Sequence, residues 1–227
     1  RARCARMAED LHAGQRVLTL GPPPATARLA LILLHGRGGD PEDMLELADE
    51  LKVPDVACLA PSASGHAWYP HSFLAPIPQN EPALSSALRV VARLVDDLGG
   101  LGVPGERVVL LGFSQGACLA LEFAARNARR YAAVIGLSGG LIGPPGTPRA
   151  YPGTLAGTPV LLGCSDVDAH IPLTRVHESA DVFRGLGAAV DERIYPGMGH
   201  TINRDEIGVV GALLAPEIKR VIPTVNI

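Results

Sequence analysis

Ser114, set in Gly112-Phe113-Ser114-Gln115-Gly116, is the residue of this 227-residue chain best placed to act as a nucleophile. A serine hydroxyl attacks a carbonyl only when a base takes its proton, and the usual base is a histidine steered by a carboxylate. His200 fits the base, because it follows a strand-like run and the flexible Gly197-Met198-Gly199 late in the chain. Asp166 and Asp168, in "GCSDVDAHIP", lie between the two, and either could fix the imidazole tautomer. Together these residue types perform acyl transfer through a covalent intermediate. The other histidines fit the base less well: His35 precedes Gly36 at a strand end, and His12, His66, His71, His170 and His177 are in the wrong chain order or in surface-like segments.

The tetrahedral intermediate of such a reaction needs hydrogen-bond donors for its oxyanion. The amide of Gln115, directly after the nucleophile and at a helix N-terminus, is one expected donor. The other is expected from the loop after an early strand, where "HGRGGD" (35–40) carries glycines that admit close main-chain approach. Glycine loops also cradle phosphates, but GxxxxGK[ST] and GxGxxG are both absent, which argues against a nucleotide site.

GxSxG is a weak signal by itself, so the elements around it decide its meaning. The apolar runs 29–34, 108–112, 132–137 and 159–163 do not alternate with polar residues, as expected of parallel strands covered on both faces. Weaker strand candidates are 16–20, 56–60 and 188–195. Helical spacing appears over 41–51, 81–98, 115–127, 172–186 and 203–221, the last disturbed at Pro216. This alternation predicts one α/β domain over 15–227, with 1–14 as a poorly structured N-terminal extension and Met7 a candidate start. Ser114 then stands where a buried strand turns sharply into a helix. Gly112 and Gly116 relieve that turn, and Ala117, Ala120 and Ala124 let the helix lie close to the sheet.

Two irregular stretches flank the predicted site. The segment 61–80 holds Trp68, Tyr69 and Phe73, and Trp68 and Phe73 are expected to line a pocket for an acyl chain. The segment 139–159 is rich in glycine and proline, and either caps the core or borders the site.

Composition narrows the alternatives. The net charge of -3 with interspersed signs leaves no basic stripe for nucleic acid. No apolar run is long enough to span a membrane, and "RARCARMAEDLHAG" lacks the apolar core of a secretory signal, so a cytoplasmic location is expected. The four cysteines, Cys4, Cys58, Cys118 and Cys164, are widely spaced and form no CxxC pair. Cys58 and Cys118 read as packed thiols. The proposed chemistry calls for no metal or cofactor. The oligomeric state, a homodimer among its outcomes, is left open.

The chain order Ser, Asp, His matches that of α/β-hydrolases. The motifs "LLHGRGG", "GFSQGA", "DAHIP" and "YPGMGH" resemble those of the carboxylesterase/phospholipase family that includes acyl-protein thioesterases. "AWYPHSF" and "NEPAL" are similar to its bacterial esterase branch. The resemblance implies an α/β-hydrolase fold with a mostly parallel sheet and helices on both faces. It also implies Asp168 as the catalytic acid, four residues before Pro172, and the Arg37 amide as the second oxyanion donor. The implied activity is hydrolysis of carboxylic esters of short to medium acyl chains, extending to thioesters or lysophospholipids, with a small-molecule ester as substrate. A transacylase, lactonase or peptidase would use the same triad, and a non-catalytic binding protein of this fold is the alternative of another class. Departures from the family pattern are Ile171 for valine in the acid loop and Cys164-Ser165 for a His-Gly pair before it.

Overall fold

A computed structural model describes residues 10–216 of the chain. Seven strands form one sheet: β1 (Val17–Leu20), β2 (Leu29–Leu34), β3 (Val56–Pro61), β4 (Val108–Phe113), β5 (Ala133–Leu137), β6 (Pro159–Ser165) and β7 (Ala189–Tyr195). Their order is β1-β3-β2-β4-β5-β6-β7, with β1 antiparallel to β3 and every other pair parallel. The helices are α1 (Pro41–Glu50), α2 (Ile77–Asn80), α3 (Ala83–Gly100), α4 (Gln115–Arg126), α5 (Leu173–Gly185) and α6 (Arg204–Leu214).

The unbroken apolar strands divide by their two-residue period. Ala30, Ile32 and Leu34 of β2 point to one face and pack with Leu84 and Leu98 of α3, Leu119 and Phe123 of α4, and Phe183 of α5. Leu29, Leu31 and Leu33 point to the other face, against Met44 of α1 and Val210 of α6. Burial on both faces is why β2, β4 and β5 carry almost no polar residue.

Each expected strand is present within a residue or two. The last helix closes at Leu214, and Ala215 is already extended (φ -62°, ψ 150°), the conformation favoured before a proline such as Pro216. The expected continuation over 217–221 lies outside the described residues.

The N-terminal extension needs correction over 10–14. These residues form a turn held by the buried His12, whose backbone N–H donates to Ser86 Oγ (2.9 Å) and whose Nδ1 accepts from Ser64 N–H (3.0 Å). Asp10 adds ion pairs to Arg93 (2.7 Å) and Arg89 (3.7 Å). A buried imidazole and a paired carboxylate anchor a segment whose composition alone looks like a tail. Residues 1–9, with Met7 and Cys4, lie outside the described residues.

Candidate active site

The candidate residues leave the carboxyl ends of β2, β4, β6 and β7, the edge of a parallel sheet where ligand sites form. Ser114 follows β4 and caps α4 with φ 54° and ψ -118°, a conformation that L-residues rarely adopt. Two main-chain bonds hold it there: Ser114 N–H donates to Leu137 O (2.9 Å), and Ser114 O accepts from Cys118 N–H (3.0 Å). A side chain at Gly112 would run into the backbone of Gly116 and Ala117, and one at Gly116 into the carbonyls of Leu34 and His35. The two glycines therefore let strand and helix converge tightly enough to present the serine.

His200 Nε2 lies 2.8 Å from Ser114 Oγ, and its Nδ1 lies 2.7 Å from Asp168 Oδ2. The Asp168 carboxylate accepts a hydrogen bond from Nδ1–H, which leaves Nε2 as the acceptor facing the serine. The ring is flanked by Phe113 (centroids 5.1 Å apart) and His170 (4.7 Å). Asp168 is fully buried at its side chain. Burial opposes its ionisation, but hydrogen bonds from His200 and from the N–H groups of His170 (2.8 Å) and Ile171 (3.0 Å) outweigh it and hold its pKa below the ordinary carboxylate value. Asp166 is exposed and turned elsewhere, with its Oδ1 accepting from Gly197 N–H (2.7 Å). The two aspartates thus divide the work by position: one faces the imidazole and the other ties down the loop that carries it. Ser165 Oγ adds a second tie, accepting from Gly199 N–H (3.1 Å).

Cys164, where the sequence departs from the pattern it resembles, is buried with Sγ 3.8 Å from Asp168 Oδ2. Burial and the neighbouring carboxylate push its thiol pKa up to about 12. Cys58 and Cys118 are likewise buried thiols, pushed by burial to about 11 and about 12.

Arg37 and Gln115, the residues expected to offer their amides, line the cavity that Ser114 borders. The side chains of these residues have separate tasks. Arg37 donates to the carbonyls of Tyr69 (2.8 Å), Pro70 (2.9 Å) and His71 (2.7 Å). Gln115 accepts from Trp68 N–H (2.8 Å) and donates to Tyr69 O (2.8 Å). Both fasten the aromatic segment over the serine.

That segment walls a cavity of about 550 Å³, which also includes Phe73, Cys118 and Ile171 in its lining. Trp68 is the correction: it is fully buried and does not line the cavity. Its indole N–H donates to His35 O (2.9 Å) and its ring packs between His12 and His35. Aromatic content marked the segment but could not say which ring faces inward. The segment 139–159 contributes no lining residue. It supports the wall from behind, through Gly143 N–H to Phe73 O (2.7 Å) and through Arg175, whose guanidinium lies 5.8 Å from the Phe73 ring centroid. Buried Glu122 and Arg175, with Arg149, hold this stretch to α4 and α5.

A family model described as phospholipase/carboxylesterase matches residues 20–215, nearly the whole described chain. The chain belongs to the phospholipase/carboxylesterase family. A solved phospholipase/carboxylesterase from Dyadobacter fermentans is similar at 42% identity, covering 88% of this chain and 96% of that one with a TM-score of 0.85. The solved esterase PE8 is 26% identical over 88% of this chain and 97% of its own, with a TM-score of 0.72. Acyl-protein thioesterase 1 of Gibberella zeae is 33% identical over 119 residues, 52% of this chain and 51% of that protein. The matches to curated relatives thus span about half of those relatives' length. The α/β-hydrolase fold expected from the motifs is the fold observed. Among the described residues no helix is long and apolar enough to cross a membrane.

Proposed function

We propose that this protein is a serine hydrolase that cleaves carboxylic esters of short to medium acyl chains through an acyl-enzyme. The observation that carries the reading is the hydrogen-bonded series Ser114–His200–Asp168 at the wall of the cavity. His200 Nε2 takes the Ser114 proton as Oγ attacks the acyl carbonyl. The carbonyl electron pair moves onto oxygen, where the amides of Arg37 and Gln115 receive it. Asp168 stabilises the imidazolium so formed. When the tetrahedral intermediate collapses, the alcohol leaves with the proton from His200. Water then enters, gives a proton to His200 and attacks the acyl-enzyme, and Ser114 departs with that proton as the acid is released.

Thioesters belong within the proposed range, supported by the relative named as a thioesterase. The same acyl-enzyme would serve a lactonase, transacylase or peptidase, and a substrate panel of esters, thioesters, lactones and amides separates them. Ser114→Ala is expected to fold as the parent does and to lose on the order of 10⁴-fold or more in turnover of a p-nitrophenyl ester. A fluorophosphonate probe should label Ser114 in the parent chain alone. Substantial hydrolysis by the alanine variant would sink the mechanism.

A further inference from the structure

The sequence singles out His35 only as a poor candidate for the base, and the proposed mechanism does not use it. The structure gives it a defined task. It is almost wholly buried, and its Nε2 accepts a hydrogen bond from Ala63 N–H (3.0 Å). A neutral imidazole has one acceptor nitrogen and one donor, so this bond places the proton on Nδ1. Nδ1 lies 2.7 Å from Gly36 O and donates to it. Burial, opposed by that carbonyl, lowers the pKa of His35, which keeps the single-proton form in place.

Gly36 C=O and Arg37 N–H belong to one peptide unit, and in a trans peptide they point in opposite directions. Whatever fixes the carbonyl therefore aims the amide. Gly36 O receives a second bond from Gly39 N–H (3.1 Å), closing a turn in which Gly38 takes φ 80°. Gly36 itself is pressed against the elbow, since a side chain there would meet Phe113 and the β-carbon of Ser114 within about the same 3.3–3.4 Å. The ring of His35 is itself held in place by Trp68 (centroids 5.0 Å apart), and the main-chain carbonyl of His35 accepts the Trp68 indole N–H.

We infer that His35 is a positioning residue for the oxyanion site: its Nδ1–H holds the Gly36–Arg37 peptide plane so that the Arg37 amide faces the developing oxyanion. The inference rests on the ester-hydrolase reading above. It assigns a reason for histidine at this place in "LLHGRGG" that neither base chemistry nor core packing supplies, because an apolar ring would fill the space without donating.

The test compares three variants. Asn at position 35 places an amide N–H where Nδ1–H stands, Gln places its amide near Nε2, and Leu offers no donor. His35→Leu is expected to lower kcat by roughly 10- to 100-fold with little change in KM. That is less than the 10²–10³ typical of deleting an oxyanion donor, because Gly39 still holds the carbonyl. His35→Asn should recover most of the loss, and His35→Gln should not. Inhibition by a trifluoromethyl ketone, which forms a tetrahedral adduct on the serine, should weaken in step with kcat/KM. Melting curves identify any variant that fails to fold, and Asn against Gln then remains a sufficient comparison. Equal losses in Asn and Gln, a better Gln, or unchanged ketone affinity overturns the inference. If the parent chain shows no Ser114-dependent ester hydrolysis, it is the ester-hydrolase reading that fails instead.

Discussion

Asp168→Asn tests the division of labour between the two aspartates, and the structure dictates how the amide must sit. Asp168 Oδ1 accepts two main-chain N–H groups, from His170 and Ile171, and Oδ2 faces His200 Nδ1. With the asparagine oxygen at the Oδ1 position, both main-chain bonds survive and the NH₂ group faces His200. The imidazole must then accept at Nδ1 and carry its proton on Nε2, toward Ser114, where it cannot act as a base. The opposite flip sets NH₂ against two N–H donors. At about 1–3 kcal/mol per unsatisfied buried donor, it is disfavoured by roughly 2–6 kcal/mol. At 1.36 kcal/mol per tenfold, the productive tautomer falls to about one part in 30 or less. The lost carboxylate charge lowers the rate further, toward the roughly 10⁴-fold seen when a triad aspartate becomes asparagine. The assay is kcat/KM for p-nitrophenyl butyrate, with active sites counted by fluorophosphonate labelling. Asp166→Asn is the control: its side chain accepts from Gly197 N–H, and an amide oxygen accepts that equally, so the loss should stay below about tenfold. A loss under about 30-fold in Asp168→Asn, or an equal loss in Asp166→Asn, refutes the reasoning.

Glu206 is buried on α6, and its Oε1 has no hydrogen-bond partner among the described residues. Burial raises its pKa, the Asn203 N–H bond opposes this, and Asp205 adds to the rise. With the folded value above the unfolded one, its favourable contribution is fully present below the ordinary glutamate pKa and is lost as pH rises through the folded value. Glu206→Gln should therefore gain in melting temperature over the parent between about pH 4.5 and pH 7, and a difference independent of pH would contradict this. Phe73→Ala should shift preference toward longer acyl chains and cost about 3–5 kcal/mol in stability, measured by an ester chain-length series and denaturant titration. Trp68→Phe should leave the chain-length preference alone while costing about 1–3 kcal/mol, because it strands the carbonyl of His35; a changed preference would mean that Trp68 reaches the substrate.

What was legible in the sequence follows the range of the interactions involved. The elbow is local: Gly112, Ser114 and Gly116 must lie within one strand-to-helix turn, so spacing alone exposes it. The strands were legible because burial on both faces removes polar residues from them. The choice between Asp166 and Asp168 was not local, since both lie on one loop and only the path of β7 decides which meets His200. Trp68 failed for a similar reason. Its ring is oriented by His12, 56 positions earlier, and by His35, 33 positions earlier, and no window of sequence contains that sandwich. Arg37 and Gln115 were marked for their amides, while their side-chain bonds to residues 68–71 come from the folding of β2 and β4 beside each other.

The placement of these bonds divides the site into two stiff halves. Ser114 in its rare conformation costs of order 1–3 kcal/mol, which neighbouring structure must over-determine. That support comes from β4, α4 and the β2 loop: Leu137 and Cys118 grip its backbone, and the Gly116 backbone packs against the carbonyls of Leu34 and His35. Ser114 and the loop after β2, the proposed nucleophile and oxyanion loop, are therefore one unit, in which moving either strains the other. Asp168 and His200, the proposed acid and base, belong to the other half, on loops from β6 and β7 that are laced together by Ser165, Asp166 and Asp168. The halves meet across the 2.8 Å contact between Ser114 and His200. Lesions in the β6–β7 lacing should thus displace the base while leaving the serine presented, whereas lesions around Gly116 should threaten the fold before they touch the chemistry.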